Sequence, residues 1–204
     1  MRKIILASGS PRRQEILTLG GFLYEVKVSQ AEEQIPKEEL ETLAPSKLVE
    51  RLARTKAEDV FRQYTQDADV LVIGADTVVS IDGCVLGKPE SKEDAAWMLQ
   101  RLSGRTHEVY TGVCLLWRDA SDWKLVRGNV FHCLTEVTFY PMQEAEIKAY
   151  IETGECMDKA GSYAIQGGAA KFIREINGDY LNVVGLPLSM LYHEIQLGNY
   201  NFTL

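Results

Sequence analysis

Near its start the chain reads Ala7-Ser8-Gly9-Ser10-Pro11-Arg12-Arg13, with Lys3-Ile4-Ile5-Leu6 before it and Gln14-Glu15-Ile16-Leu17-Thr18-Leu19 after it. The first apolar run predicts a buried strand, and the later stretch predicts a helix. Pro11 suits the first helical position, where its missing N–H costs nothing, and Ser10 then stands at the N-cap. A strand, a tight turn and a helix in this order indicate an α/β protein.

The same turn has the chemistry of an anion site. Free N–H groups at a helix start, the helix dipole and two guanidinium groups together favour phosphate. Ser8, Ser10, Arg12 and Arg13 are therefore candidate phosphate ligands. The pattern is neither a P-loop nor a dinucleotide-binding fingerprint, so an ordinary capped helix with solvated arginines explains this stretch alone equally well.

The composition narrows the class of protein. The 204 residues are 46% hydrophobic and carry a net charge of −7. This length predicts one domain, 1–204, or two small lobes. The negative charge argues against a nucleic-acid polymer as partner, whereas a local cluster of Arg and Lys fits a small anionic ligand. No apolar window has the length of a membrane span, and the first residues lack the pattern of a signal peptide.

The cysteines and histidines indicate a reducing compartment and no zinc-type site. The spacing of Cys84, Cys114, Cys133 and Cys156 contains no CxxC pair, which predicts reduced thiols and a cytoplasmic protein. His107 and His132 lie far apart in the sequence, which argues against a histidine metal site.

Hydrophobic periodicity predicts strands and helices that alternate in the first half, then long strands in the second. Predicted helices span residues 45–64, 91–102, 141–152 and 187–196, and Ser91 is the N-cap of the second. Predicted strands span residues 22–28, 70–73, 109–117, 124–140, 171–176 and 180–184. Two hairpins are also predicted: one within residues 78–86 that turns at Asp82-Gly83, and one that turns at Asn177-Gly178. Residues 29–41 are predicted as an acidic loop, and the junctions at 103–105 and 139–141 as a hinge between two lobes. A mixed sheet with a cleft between the lobes follows.

Gly74-Ala75-Asp76-Thr77 directly follows a buried parallel strand, where open α/β sheets bind ligands. Asp76 is therefore placed to bind a metal or to accept a proton. A turn aspartate that bonds its own backbone is the alternative.

Several other charged residues are candidates for the same site. Lys56 lies near the buried face of the predicted helix 45–64, where a lysine either extends to solvent or meets an anion. Lys88 stands between Gly87 and Pro89 and is either a phosphate ligand or an exposed lysine at a strand end. Glu33, in the acidic loop, is either a solvated charge or a second carboxylate that completes a divalent metal site with Asp76.

Residues 158–168 form a second glycine-rich stretch, in which an acid, a base, a hydroxyl and the Gln166 amide occur together. Such groups can bond a base, a ribose or a phosphate. A turn-rich connection is the alternative.

Eight motifs in order carry a resemblance to a known family: ASGSPRRQEIL, EEQ, RLARTKA, GADTVV, GKP, LSGRTHEVYTGV, MDKAGSYAIQG and NVVGLPL. Together they resemble the Maf family of nucleoside triphosphate pyrophosphatases from Ile4 to Leu188. The resemblance implies a mixed, twisted central sheet flanked by helices, in two lobes with a cleft, as in the Maf and inosine-triphosphatase folds. It also implies a homodimer.

The resemblance further implies an activity: a nucleoside triphosphate is hydrolysed to the monophosphate and pyrophosphate with Mg²⁺ or Mn²⁺. It makes Asp76 the general base and implicates Glu33 with the metal. It places the phosphates among the following residues: Ser8, Ser10, Arg12, Arg13, Lys56 and Lys88.

Three positions resemble the dTTP/UTP branch of the family, namely Arg12, Thr77 and Gln166. The 7-methyl-GTP branch carries Trp, Gln and Glu there. Cys156 replaces the usual proline after Glu155, which frees the backbone locally. Two other functions stay open: a hydrolase that clears a modified nucleotide, and a nucleotide-binding regulator of septum formation with little turnover.

Overall fold

The computed structural model describes residues 3–31, 42–64, 70–118 and 125–197. Within these ranges one seven-stranded sheet contains β1 (Lys3–Leu6), β2 (Tyr24–Val26), β3 (Val70–Ile81), β4 (Cys84–Leu86), β5 (Thr106–Arg118), β6 (Val126–Phe139) and β7 (Ile173–Asn177). The helices are α1 (Pro11–Leu19), α2 (Pro45–Phe61), α3 (Lys92–Leu102), α4 (Glu144–Glu152), α5 (Tyr180–Val184) and α6 (Leu188–Leu197). Short 3₁₀ turns span Glu155–Asp158, Ala160–Ser162 and Gly168–Phe172.

The sheet is mixed, as expected. Its hydrogen-bonded order is β2-β1-β3-β5-β6-β7, with β4 paired to β3. Strand β1 runs parallel to β2 and to β3, and its register with β3 pairs Lys3 with Val70 and Leu6 with Ile73. Strand β4 is antiparallel to β3, and β7 is antiparallel to β6. The mixed α/β class with helices beside a central sheet is confirmed.

The chain divides into two compact units. The first contains Met1–Asp76, Thr111–Cys133 and Gly185–Leu204, and the second contains Thr77–Tyr110 and Leu134–Val184. The predicted hinge is wrong. Its two junctions lie inside the second unit and bond each other, since Gly104 N–H donates to Tyr140 O at 3.2 Å and Phe139 N–H donates to Arg105 O at 3.0 Å. The single domain 1–204 with its cleft stays a prediction.

In the first unit, helix α2 covers the parallel strands. The buried cluster there contains Ile5, Ala7, Ala53, Ala57, Val60, Phe61, Val70, Val72 and Cys114. The small residues on α2 bring its backbone close to the sheet: a Cβ on Gly74 of β3 would lie 2.2 Å from Ala53 O. Only glycine permits this approach, because any side chain at position 74 would occupy the space of the helix backbone.

In the second unit, α3 packs against α4, and aromatic rings fill the space beside β5 and β6. His107, Phe139 and Tyr163 meet edge to face, with centroids 4.9–5.3 Å apart. Helix α3 begins as predicted, because Ser91 Oγ accepts a hydrogen bond from Asp94 N–H at 3.1 Å. The hairpin at Asp82-Gly83 is also confirmed.

Two predicted elements differ from the structure. Residues 74–77 are not a turn, because β3 continues without a break from Val70 to Ile81. Residues 180–184 are helix α5 rather than a strand. Asp179 Oδ1 accepts from Leu181 N–H at 2.7 Å and thereby starts the helix, and Asn182 is buried. The predicted hairpin at Asn177-Gly178 is therefore wrong.

The termini of other elements differ by a few residues. The second predicted strand is shortened to β2, and the predicted helix 141–152 begins only at Glu144. The predicted acidic loop falls largely outside the described residues, which lack 32–41.

All four cysteines are free thiols, in agreement with the sequence, and burial raises the pKa of Cys114 to about 12. Among the described helices, none has the length and apolarity to span a membrane.

Candidate active site

The serine–arginine turn leaves the sheet directly after β1. Ala7 N–H still donates to Ile73 O at 2.8 Å, and the chain then turns at Ser8. The Ser8 hydroxyl is buried and accepts from Ser10 N–H at 3.3 Å. Ser10 occupies the N-cap position and Pro11 the first turn, as predicted, but the Ser10 side chain makes no capping hydrogen bond. The turn is thus held by Ser8, which leaves the Ser10 hydroxyl outside the cap.

The two arginines of the turn have different surroundings. Arg13 is only 9% exposed: its Nε donates to Gly185 O at 2.8 Å, and its Nη1 donates to Ser8 Oγ at 3.0 Å. Arg12 is half-buried. Arg13 therefore ties the turn to the start of the last segment of the first unit, while its positive charge stays beside Ser8.

The central feature of the first unit is an ion pair between Lys56 of α2 and Asp76 of β3. Lys56 Nζ lies 2.5 Å from Asp76 Oδ1, and the two side chains are 11% and 12% exposed. The close approach at Gly74 brings the helix near enough for this contact. Asp76 belongs to a strand, so the alternative of a turn aspartate bonded to its own backbone is wrong. Lys56 lies near the buried face of its helix, as predicted, and of the two alternatives for its side chain the structure shows contact with an anion, the Asp76 carboxylate.

Three further predicted residues, Thr77, Lys88 and Gln166, belong to the second unit. Thr77 follows Asp76 along β3, so its side chain points to the opposite face of the strand. Lys88 is exposed between Gly87 and the buried Pro89, just after β4. Gly161 N–H donates to Gly87 O at 3.0 Å, which ties the second glycine-rich stretch to the segment that carries Lys88.

Gln166 lies at the tip of a tight turn. Gly167 N–H donates to Ala164 O at 3.0 Å and closes the turn. Ile165 is buried beneath it, whereas the Gln166 side chain is exposed. The predicted turn-rich character of residues 158–168 is confirmed, and it leaves the Gln166 amide open to a ligand.

Two residues that sequence reasoning missed hold this turn. Tyr150 Oη accepts from Ala164 N–H at 3.0 Å, and Glu155 Oε2 accepts from Gly168 N–H at 2.9 Å. Tyr150 fits the apolar face of a helix, so its pattern indicates only a core residue. Glu155 lies beside Cys156 just before the glycine-rich stretch in the sequence, and this position is a signal that points to it.

A divalent metal fits the donor set only in part. Asp76 offers the hard carboxylate oxygens that Mg²⁺ and Mn²⁺ prefer. Glu33 lies outside the described residues, and within the residues that the structure describes no group of three or more His, Cys, Asp or Glu could hold a metal ion. This set suits a metal that takes one or two carboxylates together with phosphate oxygens and water, the usual mode of Mg²⁺.

His107 lies in the core of the second unit. It is 1% exposed, and its Nε2 is 2.9 Å from Tyr163 Oη. Burial lowers the pKa of His107 to about 3, so the ring is neutral at physiological pH. The imidazole therefore supports packing beside Phe139 and Tyr163 and carries no charge toward a ligand.

Comparison with known proteins identifies the family. The family described as Maf-like protein matches residues 3–197. The dTTP/UTP pyrophosphatase of Bacillus pumilus (strain SAFR-032) is 48% identical over 189 residues, 93% of this chain and 93% of that protein. The dTTP/UTP pyrophosphatase of Bacillus anthracis is 48% identical over 203 residues, 100% of this chain and 99% of that protein. The solved HAM1 protein from Coxiella burnetii is 15% identical, with a TM-score of 0.41 over 97% of this chain and 100% of that one, a likeness too weak to carry an argument. The match over nearly the whole length assigns this chain to the Maf-like protein family.

Proposed function

We propose that this chain hydrolyses dTTP and UTP to the nucleoside monophosphate and pyrophosphate. The observation that carries the proposal is the 48% identity, over 93–100% of the chain, to relatives named dTTP/UTP pyrophosphatase. The arrangement of charged residues supports it, because a triphosphate needs cations around its oxygens and a group that accepts a proton from water.

Cationic and hydroxyl groups would hold the triphosphate. We assign this task to six residues: Ser8, Ser10, Arg12, Arg13, Lys56 and Lys88. Arg13 and Ser8 already bond each other, so their contribution is a turn fixed before the substrate arrives. Fixed donors favour the transition state, since they need no reorganisation while charge moves onto the leaving pyrophosphate.

Asp76 would accept the proton of the attacking water. Its Oδ1 is bonded to Lys56, so the second carboxylate oxygen is the one we assign to this task. The ammonium of Lys56 fixes the orientation of the carboxylate and compensates its charge, which reduces its repulsion of the phosphates. Water then attacks phosphorus, the P–O bond to the pyrophosphate breaks, and the positive side chains stabilise the departing anion.

A divalent cation would be held by Asp76 and, in our proposal, by Glu33. When bound, Mg²⁺ or Mn²⁺ would neutralise phosphate charge and lower the pKa of coordinated water.

Selection of the base is assigned to Gln166, with Thr77 and Arg12 as further specificity residues. A side-chain amide offers one donor and one acceptor group, the pattern that matches the edge shared by uracil and thymine. The 5-methyl group of thymine would change the affinity by only about 1–3 kcal/mol in an apolar pocket, so one site can accept both bases.

The test is incubation with each common nucleoside triphosphate and with methylated pyrimidine triphosphates, in Mg²⁺ or Mn²⁺, with pyrophosphate and orthophosphate measured separately. We expect pyrophosphate from dTTP and UTP, and no turnover once the metal is chelated. Orthophosphate as the first product would refute the reaction type. Faster turnover of a methylated pyrimidine would favour clearance of modified nucleotides, and tight binding without turnover would favour a regulator of septum formation.

Assembly and location complete the proposal. On the resemblance to the Maf family we propose a homodimer that acts in the cytoplasm. Sedimentation equilibrium of the purified chain should give twice the mass of 22.9 kDa, and a monomer at all concentrations would contradict this.

A further inference from the structure

The turn formed by residues 164–167, the Gln166 turn, leaves the orientation of the Gln166 side chain open. Gln166 is exposed, so packing does not fix its side chain. Glutamine can also present its amide in either of two orientations, and rotation by 180° exchanges donor and acceptor. One orientation matches the edge of uracil, and the other matches cytosine. A glutamine that distinguishes these bases must therefore stand on backbone that is held firmly.

The turn is held at both of its ends. Tyr150 Oη accepts from Ala164 N–H at 3.0 Å, before the turn, and the Glu155 carboxylate accepts from Gly168 N–H at 2.9 Å, after it. Burial, and after it the nearby charge of Glu155, raises the pKa of Tyr150. The Tyr150 hydroxyl and the Glu155 carboxylate thus bind the backbone on the two sides of Gln166.

Tyr150 is itself fixed by packing, and Glu155 lies directly against the turn. Tyr150 is 3% exposed on α4, and its ring packs edge to face with Phe172 at a centroid distance of 6.0 Å. Glu155 lies so close to the turn that a Cβ on Gly167 would be 1.9 Å from Glu155 Oε1. The glycine thus allows the carboxylate to reach the amide of the next residue.

We propose that Tyr150 and Glu155 are positioning residues for base selection: they fix the backbone on both sides of Gln166 so that its amide presents one orientation to the pyrimidine. The inference rests on the proposed function and extends it, because both residues act on the backbone around Gln166 and not on the substrate.

The experiment uses the full chain with Tyr150→Phe, Glu155→Ala and Glu155→Gln, and it measures kcat/KM for UTP and for CTP. Tyr150→Phe and Glu155→Ala should each lower the UTP/CTP ratio about threefold to tenfold, the effect of losing one net hydrogen bond. Glu155→Gln keeps an acceptor oxygen for Gly168 N–H and should retain most of the ratio. Hydrogen exchange at the amides of Ala164 and Gly168 should accelerate in the first two variants.

Matched controls separate this role from a general loss of stability. Tyr110→Phe removes a hydroxyl that donates to Glu108, and Glu152→Ala removes an exposed carboxylate paired with Lys92; both of these partners lie outside the turn. Both should leave the UTP/CTP ratio unchanged, because loss of folded enzyme lowers both rates equally.

The outcomes distinguish the two proposals. If the wild-type chain hydrolyses UTP but Tyr150→Phe and Glu155→Ala keep its ratio and its amide exchange, the positioning role is refuted and the proposed function stands. If the wild-type chain releases no pyrophosphate from UTP, the proposed function fails and the selection role fails with it.

Discussion

Replacement of Asp76 by asparagine separates the structural from the chemical role of the ion pair. Lys56 Nζ lies 2.5 Å from Asp76 Oδ1, with both side chains about nine-tenths buried. Breaking such a pair leaves an ammonium without its counter-charge, which costs about 3 kcal/mol of unfolding free energy at this burial. For a chain of this length that corresponds to a fall in Tm of about 6–12 °C.

The loss of activity has a different origin. Asparagine keeps the shape of the side chain but cannot accept the proton of water, so we expect kcat for dTTP to fall by about 10²–10⁴-fold. In the double variant Lys56→Met with Asp76→Asn both charges are gone, and stability should return close to the wild-type value, because uncharged replacements of a buried pair are often neutral. Activity should stay low.

Thermal unfolding and steady-state pyrophosphate release, measured on the same preparations, check both parts. Lys47→Met is the control on the same helix, since Lys47 forms an exposed ion pair with Glu50, and its effect should stay within about 0.5 kcal/mol. An Asp76→Asn variant with near wild-type kcat would refute Asp76 as proton acceptor. A double variant as unstable as Asp76→Asn alone would refute the buried ammonium as the cause.

The other predictions concern packing, pH and base selection. Gly74→Ala should lower the free energy of unfolding by about 1–3 kcal/mol and remove most of the activity, because the new Cβ would lie 2.2 Å from Ala53 O and must push α2 away. Calorimetry and an activity assay check this prediction. A variant as stable as wild type would contradict the close approach. Burial lowers the pKa of His107 from its ordinary value of 6.5 to about 3 in the folded chain. Between these two pH values the unfolded chain binds one proton more than the folded chain. The free energy of unfolding therefore falls as the pH drops from 6.5 toward 3, by up to about 1.4 kcal/mol per pH unit. Denaturant unfolding of wild type and His107→Phe across that range should give the steeper loss for wild type, and parallel curves would exclude this histidine. Gln166→Glu replaces an amide donor by an acceptor-only carboxylate, so kcat/KM for dTTP and UTP should fall about tenfold relative to the other nucleotides; unchanged relative rates would remove Gln166 from base selection.

Local patterns predicted much of the secondary structure because their causes are local. The apolar run of Val70 to Ile73 is a buried parallel strand, as its composition predicts. Ser91 caps its helix through a hydroxyl that reaches only three residues along the chain. A hydrogen bond of this range is encoded by neighbours in the sequence, so it can be inferred without the fold.

The incorrect secondary-structure predictions concern segments in which contacts with distant residues outweigh the local secondary-structure propensity. Glycine and aspartate at 74 and 76 are typical of a turn, yet β3 runs through them because α2 packs directly on Gly74. Residues 180–184 have a strand-like composition, but Asn182 is buried and donates to Val109 O and Thr135 Oγ1, which favours the helix started by Asp179. The strand propensity of a short segment influences its structure only weakly. Burial of a polar side chain together with its hydrogen-bond partners outweighs that propensity.

The family and the chemical types of the site residues follow from the sequence alone, because ordered motifs and residue chemistry are properties of the chain. The use of those residues depends on contacts between distant parts of the chain. Asp76 meets an ammonium 20 positions away, and Arg13 bonds a carbonyl 172 positions away. Tyr150 and Glu155 hold the Gln166 turn through backbone amides. Such contacts depend on which elements pack together, and packing is set by the whole buried surface rather than by any one stretch of sequence.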